Sequence, residues 1–96
     1  MIKKFTLGAV EWTVKVDNDK LDDRECYGLT IFDESKIFIQ DETLKIKRSD
    51  GGIELTLYHE VVHAILDTLG EKDLSHDEKF VKKFSMLLHQ FEKTKE

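Results

Sequence analysis

Hydrophobic and polar positions alternate most cleanly in Val10-Glu11-Trp12-Thr13-Val14-Lys15-Val16, where Val10, Trp12, Val14 and Val16 share one face of a strand. A short strand over 5–7 precedes it across a turn at Gly8-Ala9. After a polar, acidic connection from Asp17 to Glu25, a further strand runs from about Cys26 to Phe32, with Gly28 inside it. Lys36 to Gln40 follows the turn Asp33-Glu34-Ser35 as the second arm of an antiparallel pair. From Asp41 to Gly52 the pattern lapses: its first half is compatible with one helical turn, and Ser49-Asp50-Gly51-Gly52 reads as a loop.

Beyond Gly52 the period changes from two to that of a helix. Between Ile53 and Leu69 the residues Leu55, Leu57, Tyr58, Val61, Val62, Ala64, Ile65, Leu66 and Leu69 cover most of a helical wheel, which marks a buried central helix stopped by Gly70. A short connection over 71–74 leads to Ser75-His76-Asp77-Glu78, which has the form of a capping box with Ser75 at the cap and Glu78 three residues on. Phe80, Phe84, Leu87, Leu88 and Phe91 then recur down one face of a second helix, a face expected to pack on the first helix or the sheet. His89 falls off that stripe and reads as a surface residue. The expected architecture is α+β, a small antiparallel sheet followed by two packed helices, in a single domain over 1–96.

The central helix keeps one polar stripe: Thr56, His59, Glu60, His63 and Asp67. Polar groups on a buried helix are costly unless they find partners. The four-residue spacing of His59 and His63 puts both imidazoles one turn apart on one face, where a single zinc ion can meet both, with Glu60 beside it. The competing reading is a pair of hydrogen-bonded core histidines. A catalytic zinc takes three protein ligands and leaves one position open. Asp67 lies one further turn along the axis, about 6 Å from His63, and fits better as an acceptor for a ring N–H. The third ligand is expected at the start of the second helix, where spacing alone leaves Glu78, Asp77 and His76 open.

His59-Glu60-Val61-Val62-His63-Ala64-Ile65-Leu66, followed by Glu78-x-x-Val81-x-x-Phe84-Ser85-x-x-Leu88, resembles the zinc metallopeptidase-like proteins of the ImmA/IrrE type and their short phage and prophage relatives. The resemblance spans roughly 36–91. It departs from the family at Val81 and Ser85, where small residues are usual. It implies a minimal zincin-like fold, zinc ligation by His59, His63 and Glu78, with Glu78 raised over Asp77, and a general-base role for Glu60 in hydrolysis of a peptide or protein substrate. It also implies Lys36 to Gln40 as the strand along which substrate pairs, and a further oxyanion donor for which His76 or a tyrosine is available; His76 itself reads as an exposed residue of the first turn.

Composition narrows the setting. The formal charge of −5 argues against non-specific nucleic-acid binding, which needs a basic surface. The basic runs Lys45-Ile46-Lys47-Arg48 and Lys82-Lys83 are short and read as solvated faces. No apolar segment approaches the roughly 20 residues of a membrane span, and 5–16 lacks the apolar core of an export signal. Cys26 stands alone as a small buried residue, which excludes a disulfide framework and fits a reducing cytoplasm. Two functions from different classes follow: an intracellular zinc-dependent peptidase, and a non-catalytic binding or assembly protein on a zinc-stabilised scaffold. Glu60 favours the first, because metal binding alone does not need it.

Overall fold

Trp12, Val14, Ile37 and Ile39 form the floor of the core, and the computed structural model, which describes residues 1–96, shows how they meet. Strands β1 (Lys4–Leu7) and β2 (Val10–Val16) pair antiparallel through a turn at Gly8, whose φ of +61° favours glycine. Strands β3 (Gly28–Ile31) and β4 (Lys36–Ile39) pair antiparallel across a 3-10 turn at Phe32–Glu34. The sheet order is β1-β2-β4-β3. Trp12 and Val14 are buried, while Val10 and Val16, at the strand ends, lie at the rim.

The α+β class is as expected, but the sheet is mixed: β2 and β4 run parallel, with Val14 opposite Ile37. A parallel neighbour cannot be reached by a tight hairpin and needs a crossover. The segment 17–35 supplies it. Its first part is a helix, α1 (Asn18–Arg24), and not the irregular connection expected from its acidity. Asp17 caps α1 by accepting from the Lys20 N–H at 3.1 Å, and Leu21, its one apolar residue, is fully buried. A single anchor leaves no periodicity to read. Asn18 and Asp41 bond each other in both directions, and Gln40 Nε2 donates to Asp22, so α1 is tied to the end of β4.

The stretch after β4 is a miniature hairpin, β5 (Glu42–Thr43) and β6 (Ile46–Lys47), and not a helical turn. Helix α2 (Asp50–Thr68) then starts within the expected loop, because Ser49 Oγ accepts from the Gly52 N–H at 3.0 Å and draws both glycines into the first turn. At the other end Gly70, at φ +77°, donates to the Asp67 carbonyl, and the Glu71 N–H donates to the Leu66 carbonyl, the paired bonds of a Schellman stop. Leu69, just before it, is exposed.

Helix α2 lies between the sheet and α4 (Glu78–Thr94). Leu57 and Ala64 join the sheet core, whereas Val62 and Leu66 pack with Val81, Phe80 and Leu88. The short helix α3 (Lys72–Ser75) makes the corner between them. No helix is long and apolar enough to cross a membrane.

Candidate metal centre

The polar stripe of α2 faces neither core. Thr56, His59, Glu60, His63 and Asp67 all line one cleft of about 890 Å³, bounded on one side by β3 and on the other by the start of α4. A cleft of this size falls in the range of ligand sites.

His59 and His63 stand with ring centroids 5.1 Å apart, as their spacing requires. Glu78 closes the triangle: Oε2 lies 3.2 Å from His59 Nε2 and Oε1 lies 3.1 Å from His63 Nε2. One ligand atom from each residue lies within 4.8 Å of the others, and this is the group of three whose donors could hold a metal ion. Two imidazole nitrogens and a carboxylate oxygen suit zinc, and three ligands leave a fourth position open to the cleft.

Ser75 fixes the orientation of His63. It is buried, and its Oγ lies 3.1 Å from His63 Nδ1. In the tautomer that keeps Nε2 free for a cation, Nδ1–H donates to Ser75 Oγ. Burial holds the His63 pKa below its ordinary value, against the opposing pull of Glu78, so the neutral, ligating form is favoured. The capping box expected at 75–78 is therefore absent. Asp77 is the cap of α4, its carboxylate accepting from the Phe80 N–H at 3.1 Å. Asp77 is spent on the helix, and Glu78, the first helical residue, is free to face the histidines. Asp67 lines the cleft but does not bond either imidazole; Ser75 takes the role expected of it. His76 is exposed at the cleft rim.

Glu60 occupies a different environment. It is buried, and Thr30 Oγ1 donates to its Oε1 at 2.8 Å. Burial pushes its carboxyl pKa up from 4.5 to about 7; the Thr30 hydrogen bond opposes this and the negative charge of Glu78 adds to it. The side chain fits because β3 offers a glycine: a Cβ on Gly28 would come within 2.8 Å of both Glu60 Cγ and Thr56 Cγ2. Thr30 and Ser75 gave no sign of these roles in the sequence. Gly28 did, since a glycine inside a strand often marks a close approach.

Arg48, read as part of a solvated basic run, is half-buried in the cleft wall. Its guanidinium stacks on Tyr27 at 4.4 Å and donates to the Gln40 and Gly52 carbonyls and to Thr56 Oγ1. Cys26 is partly buried, with its thiol pKa raised first by burial and then by Glu60. The strand expected to receive substrate, Lys36 to Gln40, is interior, flanked by β2 and β3. Of the sheet's two edge strands, β1 and β3, it is β3 that borders the cleft and touches Glu60.

Compared with family models, with curated proteins and with solved structures, the chain matches none.

Proposed function

We propose that this chain is a zinc-dependent metallopeptidase of the ImmA/IrrE kind, acting on a peptide or protein substrate in a reducing, intracellular setting. The observation that carries the reading is the convergence of His59, His63 and Glu78 within 4.8 Å in the same cleft as a buried carboxyl at Glu60. His59 Nε2, His63 Nε2 and a Glu78 oxygen would hold the ion. Zinc, when bound, polarises a carbonyl and brings the pKa of water toward about 7.

The chain's own groups divide the remaining work. The open edge of β3 offers backbone N–H and C=O groups to an extended peptide, which would lay its carbonyl over the histidine pair. Glu60 accepts the proton of the attacking water and returns it to the leaving amine. Burial raises the proton affinity of this carboxylate above that of a solvated glutamate, and a held cation would oppose that rise, so that the group can both take up and release a proton. Thr30 and Gly28 hold the carboxyl in place.

Glu60→Gln tests the reading, since glutamine keeps the size and hydrogen bonding but accepts no proton at neutral pH. The variant is expected to bind zinc like the native chain and to lose peptide hydrolysis by roughly 10²–10⁴. Zinc binding without hydrolysis of any peptide in a broad library by the native chain would favour the scaffold function instead. Loss of zinc in Glu60→Gln would make this carboxylate a ligand and overturn the mechanism.

A further inference from the structure

Helix α4 has two apolar faces; one packs on α2, and of the other only Phe80 reaches that core. Val81 and Leu88 pack against Val62 and Leu66 of α2, and Val81 and Ser85 are fully buried. Phe80, Phe84, Leu87 and Phe91 form a second stripe beside it, on which Phe84, Leu87 and Phe91 are 50%, 67% and 59% exposed. Three large apolar side chains in one row, each half or more in water, exceed the scattered exposure normal for a surface.

The spacing of the stripe says what shape covers it. Steps of four, three and four residues repeat the a/d pattern of a coiled-coil seam, a band about one helix wide. Such a band suits the knobs of one further helix. A membrane surface calls for a broader apolar face, and the inner half of α4 is already committed to α2.

Charge says which helix. The chain carries a formal −5, yet α4 and its C-cap hold five lysines against two glutamates. On the wheel Lys83 borders the stripe on one side, with Lys79 one row farther out on that side, while Glu78 and Glu92 lie away from it, toward the inner face. Lys93 is paired with Glu54 at 2.7 Å and Lys95 with Glu92 at 3.1 Å; Lys79 and Lys83 have no carboxylate partner. A second copy of α4 would bring more lysines and no carboxylate to this seam. We propose that the Phe84–Leu87–Phe91 face of α4 docks an acidic amphipathic helix of a partner protein, its apolar residues against the stripe and its glutamates or aspartates against Lys79 and Lys83.

The test uses the full chain and two fluorescent helical peptides of about three heptads with leucine at a and d, one with glutamate and one with lysine at the flanking positions. Fluorescence anisotropy should show binding of the glutamate peptide with a preference of about tenfold or more over the lysine peptide, falling as salt is raised. Leu87→Ser/Phe91→Ser should abolish binding with the circular dichroism of the native chain retained. Lys79→Glu/Lys83→Glu should reverse the preference and so exclude a merely unfolded variant. Equal binding of the two peptides, or of neither, overturns the proposal. So does a dimer in light scattering that Leu87→Ser/Phe91→Ser dissociates, or sedimentation of the chain with phosphatidylserine vesicles that the same pair of changes prevents.

Discussion

Glu60 is where burial and charge oppose each other most directly. With no cation beside it, its carboxyl titrates at about 7 in the folded chain and near 4.5 when unfolded. The folded state therefore holds the proton more tightly, and the stabilisation is full below about pH 4.5 and lost as pH rises through about 7. The whole effect is on the order of 3 kcal/mol, since each tenfold change in proton affinity is worth about 1.4 kcal/mol. His63 works the other way, because its depressed pKa costs stability as pH falls below 6.5. Comparing the native chain with Glu60→Gln removes that contribution, since Glu60 is not among the groups that shift His63. In chelator, urea unfolding should find Glu60→Gln gaining on the native chain from about pH 5 to about pH 8 by up to about 3 kcal/mol. A difference that is flat with pH would contradict the burial argument. Gly28 gives a second measurement at this scale. In Gly28→Ala the new methyl must displace Glu60 Cγ and Thr56 Cγ2, at a cost of about 1–3 kcal/mol. Zinc affinity should hold while peptide hydrolysis falls, because the strain lands on Glu60, the proposed base, and not on the candidate ligands.

Among the elements, α4 separates what pattern reveals from what it hides. Its helical period was plain in the sequence, and so was the turn at Gly70 that brings it back to α2. Which face packs was not. The phenylalanines dominate the pattern, yet the two residues of α4 that are fully buried are Val81 and Ser85, and Val81, with Phe80 and Leu88 beside it, makes the contact with Val62 and Leu66 of α2. Val81→Ala is expected to cost about 1–3 kcal/mol and Leu87→Ala less than about 0.5 kcal/mol, as chemical denaturation can check. The order would be inverted if the phenylalanine and leucine stripe were the core. His89 departs from its expected surface place for the same reason: rotation of the helix leaves it half-buried, 2.9 Å from Glu54 and edge-on to Tyr58. At the start of α4 the capping assignment decides between two acids. Asp77→Ala should remove about 1 kcal/mol of cap and leave zinc binding intact, whereas Glu78→Ala should weaken zinc binding sharply with little change in metal-free stability. Isothermal titration with zinc separates the two, and the opposite pattern would make Asp77 the ligand.

At the scale of the molecule, the strands and the central helix were legible because each carries its own period, and the histidine pair because it sits on that helix. The β2–β4 pairing was not, since strand order depends on how segment 17–35 crosses the sheet, and its one buried anchor is Leu21. That crossover decides which strand faces the cleft: β4 is enclosed, and β3 brings Gly28 and Thr30 to Glu60. The candidate ligands likewise come from two elements, His59 and His63 from the middle of α2 and Glu78 from the start of α4. An ion shared by them would cross-link the two helices in the folded chain only, and would stabilise it by mass action. A free concentration a thousand times Kd is worth about 4 kcal/mol, which for a domain of this size raises the melting temperature by roughly 15 °C or more. Calorimetry of chelator-treated protein should show that rise with free zinc in excess, and titration should saturate at one equivalent, because the structure offers one such group of donors. His63→Ala and Glu78→Ala should lose the rise, while Glu60→Gln keeps it. If zinc leaves the melting temperature of the native chain unchanged, the three side chains meet as a hydrogen-bonded cluster, the ligand assignment fails, and the proposed hydrolysis fails with it.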